Sequence, residues 1–234
     1  MPKTTIWTLI LSLALTTAAF AATPEEKCQK TLSLAWGKYE LCVQKATGKY
    51  YGGGAFDKMR EGMGKCVDQL AKTWPKVVTK YPGTTCSGDR YTDNGDLTFT
   101  DNLTRRVWEE KTDDDSIHDK DNIYTWSTGV PWKEDGTAFG TFLNGLNDAS
   151  FGGSRGWRIP TVAELNSLVE PGWPNCTTAP CTTVPGETAS SFYWSSSPDT
   201  RSPLDAWGVL FSSGFVGGGG KSGGLSVRAV RGGS

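Results

Sequence analysis

The chain has 234 residues, 37% of them hydrophobic, with 10 tryptophans and 29 glycines, which is enough apolar mass for a core punctuated by many turns. Its 24 basic and 25 acidic side chains leave a formal net charge of −1, so no global field draws it to nucleic acid or to an anionic membrane. Six cysteines, an even number, point to bridges formed in an oxidising compartment.

At the amino end, Lys3 precedes an apolar run from Ile6 to Leu15 and small residues at Ala19, Ala21 and Ala22. This is the pattern of a signal peptide over residues 1–22, cleaved after Ala21 or Ala22 and too short to remain as a membrane span. The expected destination is the periplasm or the exterior, without membrane insertion.

From Cys28 to Ala46, Leu32, Ala35, Trp36, Tyr39, Cys42, Val43 and Ala46 recur at helical spacing. After Gly52, Gly53 and Gly54, a second such stripe runs through Phe56, Met59, Met63, Cys66, Val67, Leu70 and Trp74. Together they predict a helical hairpin over 23–86, with Pro75 ending or kinking the second helix because it has no amide hydrogen and its ring crowds the preceding turn. Cys28 and Cys42, 14 residues apart, fall on nearly one helix face. Cys66 and Cys86 face them from the return segment, so the preferred pairing is nested, Cys42 with Cys66 and Cys28 with Cys86. Connectivity is not fixed by spacing alone. Cys176 and Cys181 enclose a short loop and are expected to pair with each other.

The character changes near Tyr91 to short β-prone runs between turn signals. Asn94-Gly95 marks a hairpin before a strand at Leu97 to Thr100. A helix is predicted over Thr137 to Asn147. Thr161 and Glu164 form a capping box that opens another through Leu165, Leu168 and Val169. Strands follow at Phe192 to Ser196, Ala206 to Phe211 and Leu225 to Val230. The order of strands and helices predicts an α+β domain over 87–234.

Candidate functional residues lie in the connections. Asp93, Asp96, Asp113 and Asp115 carry the hard oxygen ligands that calcium takes, although their spacing matches no calcium loop, and a solvated acidic surface is the alternative. No other cofactor is indicated. His118, the only histidine, has no placed nucleophile beside it in sequence. Trp132 and Trp173 adjoin prolines in loops where an indole would stack on a sugar or peptide, or simply cap the loop. Trp157, Trp194 and Trp207 sit at predicted strands or helix starts, where large rings fill a core. Arg158, Arg228 and Arg231 would bind an anion or bridge to groups such as Glu164. The stretches 197–203 and 213–224 are turn-rich and flank predicted strands, which puts Asp199, Arg201, Phe215 and Lys221 on prospective binding loops. Gly217 to Lys221 superficially matches a phosphate loop, but a strand rather than a helix follows it, which excludes nucleotide binding of that kind.

Several motifs occur in a fixed order: Asp93-Asn94-Gly95-Asp96, Trp108-Glu109, Tyr124-Thr125-Trp126, Gly156-Trp157-Arg158-Ile159-Pro160-Thr161, Tyr193-Trp194-Ser195-Ser196, Ala206-Trp207 and Val227-Arg228-Ala229-Val230-Arg231. Through them residues 91–234 resemble the Lcl C-terminal domain family, a bacterial domain named from a collagen-like adhesin. The resemblance implies a C-type-lectin-like closed domain, two helices with a mainly antiparallel sheet, whose first and last strands pair. It also implies an adhesion or ligand-binding role, with a glycan or a surface protein as partner and no catalysis. The alternatives are an enzyme related to formylglycine-generating enzymes and a structural envelope component. The Glu-Pro-Asn signature of calcium-dependent sugar binding is missing, since Glu170-Pro171-Gly172 stands at the nearest match.

Overall fold

The computed structural model describes residues 21–170 and 179–232. The predicted signal peptide, Trp173 and Cys176 therefore lie outside the described residues, apart from Ala21 and Ala22. Among the described residues, no helix is long and apolar enough to cross a membrane.

Helix α1 spans Pro24–Tyr51, α2 Phe56–Ala71 and α3 Thr73–Lys80. Thr23 starts α1 with a capping box, its hydroxyl accepting from the Glu26 amide while the Glu26 carboxylate accepts from its own, and Pro24 occupies a position where no amide bond is needed. Pro75 falls in the first turn of α3, so the helical run breaks just before it, as the sequence implies. The nested bridges form as expected, Cys28 with Cys86 and Cys42 with Cys66. Cys181 is also disulfide-bonded. The helices approach closely at Gly62, where a Cβ would meet the Ala46 methyl at 3.0 Å.

The remainder is mixed α+β with small antiparallel sheets. Strands β1 (Tyr91–Asp93), β2 (Thr98–Asp101) and β3 (Arg106–Glu109) join the terminal β9 (Val230–Gly232) in the order β1-β2-β3-β9. The last strand thus lies against β3, with Trp108 opposite Val230. β4 (Tyr124–Thr125) pairs with β8 (Gly224–Leu225), and β5 (Phe192–Pro198), β6 (Asp205–Leu210) and β7 (Phe215–Gly220) form a meander. The predicted helix at 137–147 opens as a π-helix, Ala138–Leu143, and continues as α4, Asn144–Asp148. α5, Val162–Asn166, carries the expected Thr161–Glu164 capping box but is shorter than the apolar pattern suggests.

Three expectations are corrected. The last strand does not pair with the first, because β1, β2 and β3 run in order across the sheet and leave β3, at its far side, to receive β9. Residues 213–224 are not one loop, because β7 runs through their middle, and the predicted strand over 225–230 divides into β8, a bridge from Ser226 to Tyr193, and β9. Glycine serves close packing here. A Cβ on Gly208 would meet the Tyr193 carbonyl at 2.4 Å, and one on Gly219 the Trp194 ring at 3.0 Å, so aromatic rings lie flat on the meander.

The hairpin packs on the α+β region, and one apolar cluster runs from Leu32, Trp36 and Met63 through Phe99, Trp108 and Trp207. Tyr39 donates to the Ala163 carbonyl at 2.7 Å. The Arg106 guanidinium lies 4.1 Å from the Trp36 ring centre.

Candidate functional site

The prospective rim residues meet different fates. Asp199 is buried and accepts from the Arg201 amide at 2.9 Å. Lys221 is buried as well, its Nζ donating to the carbonyls of Pro203 at 2.9 Å and Trp132 at 3.3 Å and resting 4.4 Å from the Trp126 ring. These two are therefore not displayed to a ligand, because they hold loops to the sheet instead. Phe215 is half-buried, with the Arg60 guanidinium 4.1 Å over its ring. Arg201 stays exposed, yet it donates to the Tyr50 carbonyl at 3.2 Å and covers the Tyr50 ring at 4.3 Å. Both face the hairpin tip, where Phe56 stacks on Trp207 at 6.0 Å and Trp207 Nε1 donates to the Tyr51 hydroxyl at 2.7 Å. Trp132 is half-buried, and its backbone sits in the left-handed region at φ +62°. The fold thus joins Trp132 to Lys221, and sends Arg201 and Phe215 towards the hairpin.

The carboxylates proposed for calcium do not converge. Asp93 accepts from the Gly95 amide at 2.7 Å and Asp96 from the Thr98 hydroxyl at 2.5 Å, bonds internal to the turn. Asp113 pairs with Lys120, and Asp115 is exposed. Among the described residues, no three His, Cys, Asp or Glu side chains are grouped to hold a metal ion.

Two buried ionic networks occupy the family-like motifs. Glu164 accepts from Arg158 at 2.6 Å through each of its oxygens, from Arg106 at 2.8 Å and from the Thr161 amide at 2.8 Å. Burial pushes its carboxyl up, but the Arg158 hydrogen bonds, the Thr161 amide and the two guanidinium charges outweigh that and hold it at about 2. Around Glu109, which is wholly buried, stand Lys111 Nζ at 2.9 Å, His118 Nδ1 at 3.0 Å and the Ala229 amide at 3.0 Å. Burial raises this carboxyl and Lys111, His118 and Ala229 lower it further, leaving it below the ordinary range. Burial in turn lowers Lys111 by more than Glu109 restores. Arg228, buried beside them, donates to the Glu109 and Glu187 carbonyls at 3.1 and 2.9 Å. With both Glu109 oxygens committed, the cluster ties β3 to the chain end and to the 112–122 loop. The alternation Glu109-x-Lys111, one strand face at a spacing of two, was the available sequence signal.

Charge also divides along the chain in a way its total conceals. Residues 23–86 carry eleven basic and six acidic side chains, residues 87–234 twelve and nineteen. Leu34, Lys38, Leu41, Lys45 and Lys49 recur at spacings of three and four and share one face of α1. Against Lys58 and Lys65 of α2, Lys38, Leu41, Lys45 and Lys49 border a groove of about 510 Å³ lined only by the hairpin. Leu34 and Leu41 are 57% and 50% exposed. Lys65 pairs with Glu61, whose carboxyl the Lys58 charge also lowers, whereas Lys38, Lys45, Lys49 and Lys58 form no salt bridge among the described residues. This basic, apolar-floored groove escaped sequence reasoning that weighed total charge alone. A second open pocket, about 520 Å³, is lined by Asp113, Asp114, Asp115, Asp119, Asp121 and Asn122.

The family model described as the Lcl C-terminal domain matches residues 97–231, which leaves the hairpin outside it. No curated protein matches the chain.

Proposed function

The chain belongs to the Lcl C-terminal domain family, and from that premise we propose that it is an exported, non-catalytic binding or adhesion module whose recognition surface is the hairpin groove. The carrying observation is the seating of Tyr50, Tyr51 and Phe56 around Trp207 and Phe215. It commits the expected rim to an internal interface, while the lysine-bordered groove stays open. A C-type-lectin-like frame belongs to this reading as what the family resemblance implies, with the last strand set beside β3 instead of the first strand. The bridges Cys28–Cys86 and Cys42–Cys66 support a location beyond the cytoplasm. An enzyme of the formylglycine-generating type would need reactive thiols, and Cys181 is buried and disulfide-bonded.

Unpaired lysines around exposed leucines suit an anionic ligand carrying some apolar surface. Binding of the purified protein to poly-glutamate and to acidic and neutral glycans, measured at 20 and 300 mM salt, tests the reading. Anionic ligands are expected to bind, to weaken with salt, and to lose about tenfold or more in a Lys45→Glu/Lys58→Glu variant, since each lost rim contact is worth up to about 1 kcal/mol. Binding that survives this reversal and falls in Trp132→Ala would return the site to the loops.

A further inference from the structure

Resting on that reading of the groove, we infer that its occupant is a second copy of this chain, which inserts the acidic loop at residues 113–121 between the lysines of the hairpin. Within nine residues the loop presents Asp113, Asp114, Asp115, Asp119 and Asp121 against Lys120 and His118. Lys120 pairs with Asp113 and lies 3.5 Å from Asp121, and His118 is turned inward to Glu109, so the loop keeps a large excess of negative charge. The hairpin holds the opposite excess, and of the lysines lining the groove Lys65 alone forms a salt bridge among the described residues.

No ion pair joins loop and groove inside one molecule among the described residues, so the complementarity is satisfied only between molecules. The apolar parts match too. Ile123, 67% exposed, lies two residues beyond the loop, and Leu41, 50% exposed, lines the groove together with Cys42 and Ala46. A concave, partly apolar groove suits a protruding polypeptide better than a flat lipid surface. The contact is reciprocal in a two-fold pair, each loop seated in the other copy's groove, and extends head to tail where the rotation does not close. Contacts built mainly from surface charges are weak and salt-sensitive.

Sedimentation velocity of the full mature chain at 20 and 300 mM salt, with carbodiimide cross-linking and mass spectrometry of the dimer band, tests this. The expected result is a mass that rises with concentration at low salt, association weakened about tenfold or more at high salt, and cross-links from hairpin lysines to carboxylates of residues 113–121. Lys45→Glu/Lys58→Glu and Asp115→Lys/Asp121→Lys are each expected to be monomeric alone and to associate again when mixed, which a folding defect would not produce. A wild-type chain that stays monomeric near 1 mM at low salt, or cross-links that map elsewhere, overturns the inference. If that monomer still binds poly-glutamate through Lys45 and Lys58, only the self-partner falls and the groove reading stands. If it binds nothing, both fall. Capture of the monomer by phosphatidylglycerol vesicles, lost in Lys45→Glu/Lys58→Glu, assigns the groove to a membrane and overturns the self-partner.

Discussion

Glu164 gathers the buried Arg106 guanidinium, the partly exposed Arg158 guanidinium and a backbone amide at the start of α5. Its carboxyl is held at about 2 instead of the ordinary 4.5, a depression worth on the order of 3 kcal/mol. A lowered carboxylate stabilises the fold fully above the unfolded-state value, and that stabilisation is lost as pH falls from about 4.5 towards 2. Thermal melts across that window are expected to show a falling midpoint. In Glu164→Gln the midpoint should already be lower at pH 7, reflecting a stability loss of about 3–5 kcal/mol, because Arg106 is left buried without its carboxylate. The acid-dependent loss should then be flatter. A wild-type curve that is level between pH 5 and 2 would show that the network contributes no pH-linked stability.

The hairpin is held at its tip and along its side. At the tip, the Trp207 ring stacks on Phe56, meets Tyr50 edge-on at 5.6 Å and donates to the Tyr51 hydroxyl. Truncation to alanine removes a buried indole and leaves a cavity, which costs about 3–5 kcal/mol. The loss is expected to be local before it is global: in Trp207→Ala, amide exchange should accelerate first over Tyr50 to Arg60, while β2 and β3 keep their protection. Uniform acceleration throughout the chain would mean that the tip has no separate opening. At the side, Tyr39→Phe deletes the hydrogen bond to the Ala163 carbonyl, with an expected cost of about 1 kcal/mol in urea denaturation.

The family model begins at residue 97, beyond the hairpin, yet the apolar cluster does not stop at that boundary. Trp36, Met63 and Val67 belong to the same packed set as Phe99, Trp108 and Val230. A core of this continuity unfolds as one unit. Calorimetry of the oxidised chain is therefore expected to give a single transition with equal calorimetric and van 't Hoff enthalpies. Two resolved transitions would show the hairpin folding independently. At the same scale, a net charge of −1 describes the molecule poorly, because a basic hairpin and an acidic remainder nearly cancel.

What the sequence by itself determined was local. The helical stripes and the Thr161–Glu164 capping box follow from spacings of three and four residues, since helix geometry repeats over short distances, while the nested bridges were the preferred pairing and the fold decided them. Burial of Trp157, Trp194 and Trp207 was legible too, because large rings beside strands have few other places to go. Tertiary structure alone decided the site. Phe215 lies in a strand, Lys221 is spent on loop carbonyls, and Tyr51 meets Trp207 across 156 residues. The lysine groove exists only where two helices lie side by side. Such contacts join residues far apart in the chain, and no pattern within a short window records them.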